Sequence, residues 1–125
     1  MSFLNRMGNA SNPYQTGTKK VLAVCSAGLL RSPTVANVLH SEYGYNTRAV
    51  GASEEYALIV LDPVLIGWAD EIVFVEQKIY DKAWKDFSDL LKKRKNVVLN
   101  IPDNYEWNNE DLKLIILEQY RDASK

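Results

Sequence analysis

A short loop between an apolar run and a predicted helix constrains the fold of this chain more than any other feature. The run is residues 21–24, the loop is residues 25–31, and the helix is predicted from residue 32 to about residue 42. Four apolar residues without alternation are typical of a strand buried on both faces, as in a parallel sheet. Where such a strand turns directly into a helix, backbone N–H groups converge and can bind an oxyanion. The same place favours a thiolate over a thiol, and the loop begins with the cysteine Cys25.

Apolar runs and amphipathic segments alternate along the rest of the chain. Further strands are predicted at about 45–50, 71–75 and 96–101, and helices at about 63–68, 77–93 and 109–120. Strands that alternate with helices predict an α/β domain with a parallel sheet and right-handed crossovers. We interpret residues 1–18 as an N-terminal arm without regular structure, because Asn, Ser, Gly and Thr are frequent there. Residues 19–125 are then a single domain.

Composition argues against several classes of protein. The chain has 125 residues, a net charge of −1 and one cysteine. The charge does not indicate a nucleic-acid partner, and no apolar run is long enough to predict a membrane span. A single cysteine excludes an intramolecular disulfide and a multi-cysteine metal site, and it is typical of a reducing compartment. We therefore expect a cytoplasmic protein without a cofactor or metal that binds neither nucleic acid nor membranes.

Cys25 and Arg31 are suited to cleaving a phosphate ester through a covalent intermediate. The Cys25 thiolate would attack phosphorus, while the guanidinium of Arg31 and backbone N–H groups of residues 26–31 would hold the phosphoryl oxygens. A carboxylic acid would protonate the leaving oxygen, and water would hydrolyse the cysteinyl-phosphate. Ser32 is expected to cap the helix and to hydrogen-bond the thiolate, and Gly28 to adopt a positive φ. Alternatively, a lone cysteine at a strand end is a small core residue and Arg31 is a surface charge.

The residues around Cys25 carry a family resemblance. Val-Leu-Ala-Val at 21–24 and Cys-Ser-Ala-Gly-Leu-Leu-Arg-Ser-Pro at 25–33 resemble the phosphate-binding loop of low-molecular-weight protein tyrosine phosphatases. Trp-Ala-Asp-Glu-Ile-Val at 68–73 resembles the segment that enters the family's third strand. The resemblance covers roughly residues 19–120. It implies a flavodoxin-like, three-layer sandwich with a four-stranded parallel sheet of order 2-1-3-4.

The resemblance also implies an activity and a binding site. The activity is metal-independent hydrolysis of phosphotyrosine or other aryl phosphate monoesters, with a phosphorylated protein or a small aryl phosphate as substrate. The catalytic residues would be Cys25, Arg31 and a general acid. The residues that contact the substrate would be Ser26, Ala27, Gly28, Leu29, Leu30, Ser32 and Tyr105.

The general acid is expected in the loop after the fourth strand. The family's acid is an aspartate followed by proline late in the chain, and the matching segment here reads Ile-Pro-Asp-Asn-Tyr at 101–105. The resemblance favours Asp103, although an aspartate in Pro-Asp-Asn also suits a simple turn. Asp62 does precede a proline, but it is better placed to cap a helix. Tyr105 and Tyr56 could each line the pocket mouth or pack on the core.

Two loop residues depart from the family pattern. Gly28 stands where the family commonly has an asparagine that braces its loop, and Leu30 stands where it often has a second cysteine. A protective disulfide with Cys25 is therefore impossible, so oxidation of its thiol should proceed further. Two other functions stay open: a phosphoprotein-binding module with little turnover, and an arsenate reductase that borrows a thiol from another molecule.

Overall fold

Strands and helices alternate in the computed structural model, which describes residues 19–25, 31–52, 60–101 and 110–123. The elements are β1 (Lys20–Cys25), α1 (Arg31–Tyr43), β2 (Asn46–Gly51), α2 (Pro63–Trp68), β3 (Glu71–Phe74), α3 (Gln77–Leu91), β4 (Lys95–Val98) and α4 (Glu110–Ala123). The arm predicted at residues 1–18 lies outside the described residues. None of the described helices is long and apolar enough to cross a bilayer.

The four strands form one parallel sheet in the order β2-β1-β3-β4, as the resemblance implied. Residues 21–24 of the central strand β1 are fully buried, as their unbroken apolar run predicted. Helices α1 and α4 pack against each other, and α2 and α3 pack against each other. Right-handed crossovers place these two pairs on opposite faces of the sheet, which gives three layers.

The ends of the elements are set by local chemistry. The Asp62 side chain accepts a hydrogen bond from the Leu65 backbone N–H at 2.8 Å and caps α2, with Pro63 at the first helical position. Helix α1 ends before Gly44, whose φ of 71° few other residues adopt. The structure confirms these predicted boundaries. Strand β4 differs, because its ladder ends at Val98 and the buried apolar residues Leu99 and Ile101 follow it outside the strand.

A buried carboxylate links four elements at the amino-terminal edge of the sheet. Glu71 is fully buried, and its Oε1 lies 3.0 Å from Lys19 Nζ and 3.5 Å from Lys95 Nζ. Its Oε2 accepts a hydrogen bond of 2.6 Å from the Tyr120 hydroxyl on α4. Burial and the Glu71 carboxylate raise the pKa of Tyr120 above its ordinary value, so the hydroxyl stays protonated and keeps donating. The cluster therefore anchors α4 to β1, β3 and β4.

Candidate active site

Cys25 is the last residue of the central strand, at the carboxyl-terminal edge of the sheet. It pairs with Gly51 of β2, its carbonyl accepts from Ala52 N–H at 2.8 Å, and it is 4% exposed. Ligands of open parallel sheets bind beyond this edge. The only cysteine of the chain therefore lies where the fold class places its ligands.

Ser32 lies in the first turn of α1 and faces Cys25. Its Oγ is 3.1 Å from Cys25 Sγ and donates to the Val50 carbonyl at 3.2 Å. The expectation that Ser32 caps α1 was wrong, because the helix already begins at Arg31 and the hydroxyl turns to Cys25 and β2 instead. The predicted contact between this hydroxyl and the sulfur is confirmed.

One hydroxyl proton can serve only one of these two acceptors at a time. While Cys25 is a thiol, its S–H can donate to Ser32 Oγ and the hydroxyl can donate to Val50. When the proton is lost from sulfur, the hydroxyl can turn and donate to the thiolate. Ser32 is fully buried, so water does not compete for either bond. Cys25 and Ser32 can therefore stay hydrogen-bonded with the sulfur either protonated or ionised, without a movement of the backbone.

Arg31 begins α1, and its guanidinium is anchored from one side. Nη1 donates to Glu76 Oε1 at 2.7 Å and to the Ile101 carbonyl at 3.0 Å. These two bonds use both N–H groups of Nη1. Nη2 and Nε have no partner among the described residues. Arg31 is 8% exposed, so its side chain is buried and fixed by its hydrogen bonds and is not a solvated surface charge.

Sequence reasoning missed Glu76 as a functional residue. It lies between β3 and α3, and its Oε1 binds Arg31 while its Oε2 is 3.4 Å from Lys78 Nζ. The hydrogen bond from Arg31 holds the pKa of the Glu76 carboxyl below its usual value of 4.5, although partial burial acts in the opposite direction. The available signal was its position: an acidic residue directly after a predicted strand, at the same edge of the sheet as Cys25.

Of the predicted site residues, the structure places the side chains of Cys25 and Ser32 in contact, and Arg31 directly precedes Ser32 at the start of α1. The remaining ones lie outside the described residues: Ser26, Ala27, Gly28, Leu29, Leu30, Asp103 and Tyr105, together with Tyr56. Ile101, which accepts the bond from Arg31, directly precedes the predicted acid loop. The role of Asp103 as general acid stays a prediction.

His40 and Asp70 have structural partners. His40 Nδ1 is 2.9 Å from the Tyr45 carbonyl, at the amino-terminal edge of the sheet. Asp70 Oδ2 accepts from the Lys20 backbone N–H at 3.0 Å and holds the start of β1. In the described part of the chain, no cluster of three or more His, Cys, Asp or Glu residues could hold a metal ion.

Solved structures with this architecture exist, although the sequences have diverged. No protein-family model and no curated protein matches the chain. The YwlE arginine phosphatase from Geobacillus stearothermophilus is 15% identical with a TM-score of 0.63, and the match covers 85% of this chain and 93% of that one. Vibrio vulnificus Wzb in complex with benzylphosphonate is 18% identical with a TM-score of 0.63, covering 86% and 95%. The Erwinia amylovora tyrosine phosphatase AmsI is 16% identical with a TM-score of 0.62, covering 90% and 95%.

The fold is that of the low-molecular-weight tyrosine phosphatases. Most of each neighbour's length is matched, so the likeness extends to the whole domain rather than to one βα unit. At these identities it establishes the architecture and the sheet order. Cys25 ends β1, the place where the sequence resemblance predicted the start of a phosphate-binding loop.

Replacing Glu76 by glutamine should lower the stability of this domain in a pH-dependent way. The lowered pKa of Glu76 means that its ionised form is favoured in the folded state. The ionised Glu76 carboxylate therefore contributes fully to the free energy of unfolding when the pH is above the pKa of the unfolded state. This contribution disappears as the pH falls through the pKa of the folded state, which lies below 4.5. At neutral pH we expect a loss of about 0.5–1 kcal/mol, because the pair is partly exposed.

Urea unfolding across this pH range measures the effect. The difference between wild type and Glu76→Gln should be constant between about pH 5 and pH 8 and shrink toward zero in more acidic buffer. The exposed Glu42→Gln is the matched control and should change little at any pH. A Glu76→Gln difference that grows on acidification would contradict the assignment of the ion pair to Arg31.

Proposed function

We propose that the chain is a cysteine-dependent phosphatase that hydrolyses phosphotyrosine or other aryl phosphate monoesters through a cysteinyl-phosphate intermediate. The observation that carries the proposal is the arrangement of Cys25, Ser32 and Arg31. A cysteine ends the central strand, the Ser32 hydroxyl lies 3.1 Å from its sulfur, and the buried guanidinium of Arg31 belongs to the residue directly before Ser32 in the first turn of α1. The architecture supports it, because proteins named as phosphatases share it.

In the first step the Cys25 thiolate attacks phosphorus, and an S–P bond forms as the P–O bond to the aryl group breaks. Arg31 has Nη2 and Nε available to hold two phosphoryl oxygens, and its permanent charge stabilises the negative charge of the transition state. Glu76 and the Ile101 carbonyl hold Nη1, so the guanidinium plane is oriented before substrate arrives. Asp103 would give its proton to the leaving aryl oxygen.

In the second step water attacks phosphorus and the S–P bond breaks. The Asp103 carboxylate would accept the proton of the water, which regenerates the acid, and inorganic phosphate leaves. The departing sulfur becomes a thiolate again. Ser32 can then donate its hydroxyl proton to that sulfur instead of to the Val50 carbonyl, so it stabilises the thiolate both as nucleophile and as leaving group.

The choice of phosphotyrosine rests on the sequence resemblance and on two of the neighbours. One is named a tyrosine phosphatase, and another holds benzylphosphonate, in which an aromatic ring is one carbon from phosphorus. The third is named an arginine phosphatase, and the bond to be cleaved in phosphoarginine is a P–N bond. Phosphoarginine is therefore the competing substrate to test against phosphotyrosine.

Turnover by the purified, reduced chain tests the proposal. In the presence of a metal chelator it should hydrolyse p-nitrophenyl phosphate and phosphotyrosine, and an acid-quenched reaction should contain phosphate bound to the Cys25 peptide. Asp103→Asn should slow phosphotyrosine more than p-nitrophenyl phosphate, because tyrosine is the poorer leaving group.

Two outcomes would revise the proposal. Faster hydrolysis of a phosphoarginine peptide than of a phosphotyrosine peptide would keep the cysteine mechanism and change the substrate class. A folded, reduced chain that binds phosphate without turning over any ester would favour the phosphoprotein-binding module instead.

A further inference from the structure

An open trough of about 810 Å³ lies beside the candidate active site, along the outer edge of β4. Its lining residues include Glu76, Lys78, Val98, Asn100, Gln119 and Asp122. The mechanism above uses only Glu76 from this set.

The outer edge of β4 offers backbone hydrogen bonds to a ligand in the trough. Leu99 N–H donates to the Phe74 carbonyl of β3, and residues on either side of it in the strand direct their backbone groups the opposite way. The N–H and C=O of Val98 and Asn100 therefore face outward, toward the trough. An edge strand with such groups can accept a further extended chain.

One amide already occupies this edge. Gln119 Oε1 accepts from Asn100 N–H at 2.6 Å, and Gln119 Nε2 donates to the Asn100 carbonyl at 2.9 Å. The side-chain amide of Gln119 thus pairs with Asn100 as a peptide group of a neighbouring strand would. The same pairing chemistry is presented by Val98, one repeat earlier along the edge.

The trough is continuous with the residues that position Arg31. Glu76 is a wall of the trough and binds Arg31 Nη1, while the Ile101 carbonyl that binds the same nitrogen follows Asn100 directly in the chain. A chain whose phosphorylated residue reaches Arg31 therefore has its flanking residues next to this edge.

We propose that the outer edge of β4, in this trough, binds the extended polypeptide that flanks the phosphorylated residue through main-chain hydrogen bonds. This inference rests on the proposed function and adds to it a binding site for the residues next to the phosphorylated one. Main-chain pairing at Val98 supplies binding that does not depend on the sequence of the partner. Lys78, whose side chain is 78% exposed, adds a preference for an acidic residue near the phosphorylated one.

The test compares a phosphotyrosyl peptide with acidic flanking residues against free phosphotyrosine. Both have the same leaving group, so the ratio of their kcat/KM values reports on the flanking residues alone. Wild type should favour the peptide. Val98→Pro removes an outward N–H and leaves the ladder to β3 in place, and Lys78→Ala removes the cation. Each should lower the ratio by about threefold to tenfold, the loss expected for one hydrogen bond or ion pair.

Lys82→Ala is the matched control, since Lys82 is exposed on the same helix and does not line the trough. It should leave the ratio unchanged. If wild type hydrolyses both substrates with equal kcat/KM, or if Lys78→Ala and Val98→Pro both keep the wild-type ratio, the trough is not a substrate site although the phosphatase proposal stands. If Lys82→Ala lowered the kcat/KM ratio as much as Lys78→Ala does, the effect would come from general surface charge, and the inference would be wrong. A wild type that hydrolyses neither substrate would overturn the proposed function itself.

Discussion

Cys25→Ser is expected to abolish hydrolysis of p-nitrophenyl phosphate while the domain stays folded. A hydroxyl is a far weaker nucleophile than a thiolate, since it stays protonated at neutral pH and must lose its proton during attack. We expect kcat to fall by at least about a thousandfold, which corresponds to roughly 4 kcal/mol or more of lost transition-state stabilisation. Serine is nearly isosteric with cysteine and can keep a hydrogen bond to Ser32. The thermal unfolding midpoint should therefore change little.

The single cysteine makes an independent chemical test possible. Because Cys25 is the only thiol in the chain, incorporation of one carboxymethyl group by iodoacetate reports on this residue alone. Inactivation should follow that incorporation, and inorganic phosphate should slow both, since it would occupy the donors around the sulfur. If Cys25→Ser retained most of the wild-type kcat after repurification, or if carboxymethylated protein stayed active, Cys25 would be a core residue and the mechanism would be wrong.

Much of the fold could be predicted from the sequence because its signals are local. The apolar run at 21–24 identified the central strand, and Asp62 before Pro63 identified the start of α2. The end of β4 could not be predicted in this way. Leu99 and Ile101 are apolar and buried like strand residues, yet the ladder stops at Val98, while their N–H groups still donate to the Phe74 and Val75 carbonyls. A hydrophobic pattern indicates which residues are buried, and here the buried residues continue past Val98, the last residue of the strand ladder.

The candidate site was predictable only where it is local. Cys25, Arg31 and Ser32 lie within seven positions of one another, and the structure places the Ser32 hydroxyl 3.1 Å from Cys25 Sγ. Glu76 is 45 positions from Arg31, so only the sheet order brings the two together. The prediction for Ser32 was wrong for a similar reason. A serine before a proline is a common helix cap, and only the start of α1 at Arg31 shows that the Ser32 hydroxyl is directed elsewhere.

The largest effect on stability is expected at the other edge of the sheet, where Glu71→Gln removes a fully buried charge. Two lysines and the Tyr120 hydroxyl converge on this carboxylate, and a neutral amide cannot accept from all three of them. Removing one partner of a buried charge network typically costs about 3–5 kcal/mol. The cost here should be about 2–3 kcal/mol, because Lys19 and Lys95 are partly exposed and can turn to water.

Chemical denaturation at neutral pH measures this loss, with Glu118→Gln as the matched control. Glu118 is exposed on the same helix as Tyr120, and its replacement should change stability by no more than about 0.5 kcal/mol. Combining Glu71→Gln with Tyr120→Phe should cost less than the sum of the two, because the second change removes a hydrogen bond that the first has already weakened. Additive losses would show that Tyr120 and Glu71 stabilise the domain independently. Helix α4 follows directly after the predicted acid loop. If the stability losses of Glu71→Gln and Tyr120→Phe are coupled, these variants should therefore also hydrolyse phosphotyrosine more slowly, because departure of the tyrosine leaving group depends most on a correctly positioned acid.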